Sequence, residues 1–229
     1  MYELRDVTKR YDTARGPVIA LDNVTLSIPS GEWLAIQGPT GQGKSTLLQM
    51  LGGLDRPTSG TVLLDDTDLS KASEVEMSRL RARRIGFIFQ TFNLIPTLSA
   101  QENVETALVP LGVKTRERRE RAAAALASVG LRDRAPHLPG ELSGGPQPRG
   151  AIARALVKEP AVLLADEPTG NLDEDTRDEI LQVLADLWSA VGLTLVLVTH
   201  DRAVATRAQR RVTIRDGQVH EATAARTRR

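Results

Sequence analysis

Gly38-Pro39-Thr40-Gly41-Gln42-Gly43-Lys44-Ser45 is the stretch that decides how this chain is read. Before it lies an apolar run, Trp33 to Gln37, with the character of a strand; after it the residues from Lys44 to about Leu51 favour a helix. The stretch fits G-x-x-x-x-G-K-[ST], a loop that cradles phosphate groups. Glycines allow backbone angles that other residues avoid, so amide N–H groups can crowd around phosphate oxygens. The helix that follows presents its N-terminus, which favours an anion. Lys44 is placed to neutralise the β- and γ-phosphates and Ser45 to ligate Mg2+, with Thr46 continuing the loop into the helix.

Working outward, strands are expected at Tyr2 to Val7, at Val24, Leu26 and Ile28 by their alternation, at Thr61 to Leu64 and at Ile85 to Phe89. From Ser99 to about Lys158 the character changes to helix. Ser99-x-x-Glu102 is a capping-box start, and Arg116 to Val129 is rich in helix formers. Strands return at Ala161 to Ala165, Leu193 to Val198 and Arg211 to Arg215, with a helix from about Glu174 to Ala190 between the first two. This alternation predicts an α/β chain with a mainly parallel sheet covered by helices, and the helical middle reads as an inserted subdomain. The expected division is a core of 1–93 and 159–221, a helical unit of 94–158, and a disordered tail of 222–229.

Val162-Leu163-Leu164-Ala165-Asp166-Glu167 is an apolar strand that ends in two carboxylates. A carboxylate there, near a phosphate loop, can hold Mg2+ through water, and that is assigned to Asp166. Glu167 is then the residue that orients or deprotonates an attacking water.

Composition narrows the classes. Hydrophobic residues make up 41% and charged residues 26% of the 229, ordinary values for a globular chain long enough to bury a sizeable core. The net charge of +1 gives no global field towards nucleic acid or an anionic membrane surface, and no nucleic-acid partner is expected. The absence of cysteine excludes disulfides and thiol catalysis. No apolar segment approaches the roughly 18 residues needed to span a bilayer, and Met1-Tyr2-Glu3-Leu4-Arg5 has no signal-peptide core. The expectation is a cytoplasmic protein that reaches a membrane only through a partner.

Leu142-Ser143-Gly144-Gly145, just before a helix expected at Ala151 to Val157, resembles the signature sequence of ABC ATPases. Gly38 to Thr46, Val162 to Glu167, Gly170-Asn171-Leu172-Asp173 and Thr199-His200 complete the family's motif order over essentially the whole chain. The resemblance implies a P-loop NTPase fold with a RecA-like core, an N-terminal antiparallel β subdomain and an inserted α-helical subdomain. It implies ATP and Mg2+ as cofactors, and a head-to-tail homodimer that forms on ATP binding. In that dimer Ser143, Gly144 and Gly145 would contact the γ-phosphate held by the other subunit. Tyr11 matches the aromatic that stacks on adenine, with Val18 supporting it. Gln90 matches the glutamine that touches Mg2+ and senses the membrane partner, His200 the switch histidine at the γ-phosphate, and Asp173 the loop that links the two sites. With Lys44, Glu167 and His200 form the implied catalytic set.

Gly53 to Gly60, Phe92-Asn93-Leu94-Ile95-Pro96 and Asp166 to Asp173 resemble the branch that includes lipoprotein-release and macrolide-efflux ATPases and the cell-division ATPase. There the partner is a permease with a large extracytoplasmic domain, and the segment Phe92 to Glu105 would meet its cytoplasmic helices. The implied function is ATP hydrolysis that drives a separate permease; the alternatives are a mechanical, division-type module and a subunit with weakened hydrolysis. The last rests on a departure. After the signature the family reads Gln or Glu and then Gln-Gln-Arg, whereas this chain has Pro146-Gln147-Pro148-Arg149-Gly150. With Ser143 as the helix cap, Pro148 would remove an early hydrogen bond and Gly150 would loosen the turn. The expectation is a helix that starts late or bends, against the simpler reading that its first turn absorbs both prolines.

Overall fold

The computed structural model describes residues 1–142 and 145–221. The chain opens with two long strands, β1 (Tyr2–Thr13) and β2 (Gly16–Ile28), then β3 (Trp33–Gln37) and α1 (Lys44–Leu51). Next come β4 (Ser59–Leu64), β5 (Thr67–Asp68), α2 (Glu74–Arg84) and β6 (Ile85–Ile88). The helical stretch holds α3 (Ala100–Thr106), α4 (Thr115–Ser128) and α5 (Pro146–Leu156). The chain closes with β7 (Val162–Asp166), α6 (Glu174–Val191), β8 (Thr194–Thr199), α7 (Arg202–Ala205), β9 (Arg210–Arg215) and β10 (Gln218–Glu221).

Two sheets result. One is antiparallel, in the order β2-β1-β4-β5. The other has the order β10-β9-β3-β8-β7-β6 and is parallel except for the edge strand β10. Its central strands are buried on both faces, which is why they read as continuous apolar runs rather than alternating ones. Alternate residues still go to opposite faces. Leu34, Ile36, Val162, Leu164, Val196 and Val198 meet α1 and the antiparallel sheet, while Trp33, Leu163, Ala165, Leu195 and Leu197 meet α3 to α6.

The expected strands and helices are present, with longer hairpin arms. β1 runs to Thr13 and β2 begins at Gly16, because the bulged pairing continues past the apolar residues that mark the strands in sequence. Unforeseen were the short β5 and α7, and with them α2 and β10. α2 buries only Met77, so it lacks an apolar stripe, yet Ser73 and Glu76 form a full capping box at its start. β10 follows an Asp216-Gly217 turn in which both residues have positive φ, 49° and 76°.

β1 is tied to the far end of α1. The Tyr2 hydroxyl, fully buried, donates to the Leu51 carbonyl at 2.7 Å, one of the orphan acceptors that every helix end leaves. Tyr2→Phe strands that acceptor and is expected to lower the free energy of unfolding by about 1–3 kcal/mol in urea titration, with an unchanged m-value. No loss of stability would show that the bond is dispensable.

Candidate functional site

β3 ends in the middle of the parallel sheet, and its C-terminal end turns through Gly38 to Gly43 into α1. Gly38, Gly41 and Gly43 have φ of 152°, 79° and 91°. The loop is packed as well as twisted. A Cβ on Gly43 would collide with the Ala20 carbonyl and one on Gly38 with the Ile214 carbonyl, so only glycine fits at either place. Gln42 anchors the outer side by accepting from the Asp216 amide at 2.6 Å. Lys44 is 5% exposed, and its ammonium donates to the Pro39 carbonyl at 2.9 Å.

A cleft of about 440 Å³ opens over this loop. Of the residues named from sequence, Val18, Thr40, Gly41, Gly43, Lys44, Ser45, Thr46, Gln90, Asp166, Glu167 and His200 line it. Ala20 lines it too and was missed; it stands at the register shift between Ile19 and Leu21, which no local pattern in the sequence marks. Gly38, Pro39 and Gln42 shape the loop from behind. Tyr11 stands on β1 in register with Val18. Gly145 is outside the cleft, and Ser143 and Gly144 lie outside the described residues, as does the tail of 222–229. Asp173 caps α6, accepting from the Thr176 amide at 2.9 Å, and is likewise not at the cleft.

The acidic end of β7 faces the phosphate loop. Ser45 Oγ donates to Asp166 Oδ1 at 3.2 Å. Burial pushes the Asp166 carboxyl above its ordinary range, and the adjacent Glu167 adds to this; the Ser45 hydrogen bond and the Lys44 charge act in the opposite direction. These hard oxygen donors, with Gln90 alongside, fit Mg2+, which takes one or two carboxylates and completes its shell with phosphate and water. Glu167 has a φ of 44°, strained for a residue with a side chain. Two backbone bonds hold it there, from its amide to the Val198 carbonyl and from the Gly170 amide to its own carbonyl, both 3.0 Å. Its Oε2 lies 2.9 Å from His200 Nδ1.

The signature helix accommodates its prolines. α5 is capped at Gly145, two residues beyond the Ser143 cap considered from sequence. Pro146 and Pro148 therefore fall in the first turn, where amides have no intrahelical acceptor, and the first ladder bond runs from the Arg149 amide to the Gly145 carbonyl at 3.4 Å. The helix thus starts late, as one of the two expectations had it, and its first described turn holds both prolines, as the other had it. Gly150 is buried and faces Leu94, and Arg149 ties the helix to the Val129 carbonyl and Glu179 at 3.2 and 2.9 Å.

A second cavity of about 300 Å³ lies beside the Gln90 loop, walled by Leu54, Phe87, Phe89 and Ala107 and rimmed by Arg81, Arg154 and Lys158. Among the described residues no acidic side chain lines it; the cations rest on carbonyls, Arg81 on Gly53 (2.6 Å), Lys158 on Arg81 (2.6 Å) and Arg154 on Phe92 (2.7 Å). Phe92, expected at a partner surface, is buried in the core, whereas Ile95 is exposed. Burial, helped by the Arg154 charge, pushes the Lys158 ammonium down to about 8 from 10.5. The penalty for charging Lys158 is thus fully present below pH 8 and is relieved as pH rises towards 10.5. Lys158→Met is expected to raise the unfolding midpoint at pH 7, with a gain that shrinks on going to alkaline pH; a gain independent of pH would refute this.

The ABC transporter family profile matches residues 21–170. A Bacillus subtilis (strain 168) protein named as an uncharacterized ABC transporter ATP-binding protein, YvrO, is 47% identical over 219 residues, 96% of this chain and 95% of that one. The macrolide export ATP-binding/permease protein MacB of Hyphomonas neptunium (strain ATCC 15444) is 48% identical over 219 residues, which make up 34% of its length. Among solved structures, the dimeric structure of a post-hydrolysis state of the ATP-binding cassette MJ0796 bound to ADP and Pi aligns with a TM-score of 0.89 at 42% identity, covering 96% of this chain and 98% of that one. A dimeric structure of MJ0796 described as a bacterial ABC transporter cassette gives 0.89 at 44% identity, covering 96% of this chain and 97% of that one.

Proposed function

This chain belongs to the ABC transporter family, and from that premise we propose that it is the ATP-hydrolysing subunit that drives a separate membrane permease. The observation that carries the reading is convergence: Lys44, Ser45, Gln90, Asp166, Glu167 and His200, from distant parts of the sequence, line one cleft at the C-terminal ends of parallel strands. ATP is the substrate that suits it. Loop amides, the N-terminal end of α1 and Lys44 bind the phosphates; Val18 lines the base side, and Tyr11, in register with Val18 and just outside the lining, is placed to extend it.

Ser45, Gln90 and Asp166 are the residues that would hold Mg2+, which supplies neutralisation of charge on the β- and γ-oxygens. Glu167 aligns a water for in-line attack on the γ-phosphorus and takes its proton as the bond to the β–γ bridging oxygen breaks, releasing ADP and phosphate. His200, 2.9 Å from the Glu167 carboxylate, fixes its orientation. The dipole at the start of α5 favours a second copy of the chain that brings Ser143, Gly144 and Gly145 to the γ-phosphate; the dimeric form of MJ0796 in both solved structures supports this. With both prolines absorbed in the first turn, nothing in α5 argues for weakened hydrolysis.

The helical unit of 94–158 and the core of 1–93 and 159–221 meet near the second cavity. Its apolar walls and uncompensated cations suit a permease segment that is apolar and bears a carboxylate. The proposed place of work is the cytoplasmic face of the plasma membrane, with the permease as anchor; among the described residues no helix is long and apolar enough to cross a membrane. The relative covered to 95% of its length and named as an ATP-binding protein supports a permease on a separate chain.

Purified protein is expected to hydrolyse Mg-ATP. Glu167→Gln should lower kcat by about 100-fold or more with ATP still bound, since general-base assistance supplies roughly that factor. Pro146→Gln/Pro148→Gln should turn over at the parent's rate. Lys44→Ala separates loss of binding from loss of chemistry. Full turnover in Glu167→Gln would remove that residue from the mechanism.

A further inference from the structure

The base side of the cleft is backed by a cluster that phosphate chemistry does not use. Lys9 and Tyr11 are two residues apart on β1 and share a face. Lys9 Nζ lies 2.6 Å from Asp55 Oδ1 and 4.8 Å from the centre of the Tyr11 ring. The Tyr11 hydroxyl donates to the other carboxylate oxygen, Asp55 Oδ2, at 2.7 Å. One carboxylate thus holds both residues, one on each oxygen. Asp55 is itself fixed: the Arg56 amide donates to Oδ1 at 2.7 Å, and Lys9 also donates to the Arg56 carbonyl at 2.8 Å. It sits just past α1, where the Leu54 amide bonds the Gln49 carbonyl at 2.8 Å.

The geometry points to Lys9 and Asp55 as positioning residues that lock the Tyr11 ring as the platform for the nucleotide base. This rests on the reading of the cleft as an ATP site. A phenol pinned at its hydroxyl and covered on one face by an ammonium keeps one orientation and offers the base its opposite face. A platform set in advance loses little freedom when the base arrives. The pair is partly sheltered, with Lys9 and Asp55 side chains 13% and 26% exposed, so water screens it less than a surface ion pair. Burial works against the charged Asp55, but hydrogen bonds from Lys9, Tyr11 and the Arg56 amide outweigh it and hold the carboxyl below its usual range. Asp55 therefore stays an acceptor at neutral pH and the phenol stays its donor; burial, followed by the Asp55 bond, raises the Tyr11 hydroxyl. The Thr46 side chain, which lines the cleft, acts against this rise.

The test compares Mg-ATP with inorganic tripolyphosphate, which has the charges but no base, as ligands of the purified full chain. Tyr11→Ala is expected to weaken ATP about tenfold, since a base stacked on an aromatic is worth roughly 1–3 kcal/mol. Asp55→Asn and Lys9→Met are expected to weaken ATP about fivefold to tenfold through the displaced ring, with tripolyphosphate affinity unchanged. Lys9→Arg should restore most of the loss, and Tyr11→Phe, which keeps the ring, should show a smaller one. If Asp55→Asn weakens both ligands alike, the cluster only supports the fold and the inference falls. If Tyr11→Ala weakens ATP while Asp55→Asn and Lys9→Met do not, the platform stands without the lock. If Tyr11→Ala binds ATP like the parent, the platform itself is refuted. A parent that binds neither ligand would instead overturn the ATP-site reading.

Discussion

The site depends on one constraint of the backbone: between β3 and α1 the chain must curl tightly enough to aim successive amides at one point. Gly38, Gly41 and Gly43 meet it with positive φ, and the carbonyls of Ile214 and Ala20 press against the loop so closely that no Cβ fits at Gly38 or Gly43. Those carbonyls belong to β9 and β2. The loop is therefore clamped between the two sheets, and the antiparallel hairpin shapes the loop as well as covering the core. Lys44 shares the clamp. Its ammonium, almost fully buried, rests on the Pro39 carbonyl, which leaves a concentrated positive charge facing the cleft.

Around that centre the fold sustains features that cost stability. Asp166 is partly buried close to the like charge of Glu167, and Glu167 holds a backbone angle that residues with side chains avoid. The compensation lies behind them. β7 and β8 present apolar side chains to both faces of the sheet, and the Val198 carbonyl on β8 fixes the amide of Glu167. Strain at the end of a strand persists because the strand beneath it cannot yield.

Most of this was legible in sequence because function and local backbone chemistry use the same residues. Glycines at a tight turn, an apolar run ending in Asp166-Glu167, and Ser99 with Glu102 each announce a conformation and a role together. The hairpin arms were underestimated because their outer halves are exposed, so alternation fades while pairing continues. α2 escaped for a similar reason, since a helix that buries only Met77 has no stripe to read. Gln90 and His200 were placed by motif order, and without it each is an ordinary polar residue. The partnership of Lys9, Tyr11 and Asp55 was invisible, because nothing local says that a residue 44 positions from Tyr11 accepts its hydrogen bond.

The prolines of α5 show how far a rule about helices depends on where the helix begins. Counted from Ser143, Pro148 breaks a bond; counted from Gly145, it occupies a position where no bond exists. The two-residue difference matters beyond stability, since α5 touches several parts of the molecule at once. Its first turn carries the signature end, Arg149 reaches α6 through Glu179, and Arg154 binds the carbonyls of Phe92 and Asn93. Those carbonyls follow Gln90 by two and three residues, in a loop whose φ angles of 60° and 47° leave little slack. Arg154 and Lys158 also rim the second cavity. The helix is continuous from Pro146 to Leu156, so the second cavity and the start of α5 border the same element, and two hydrogen bonds from Arg154 tie that element to the loop that follows Gln90.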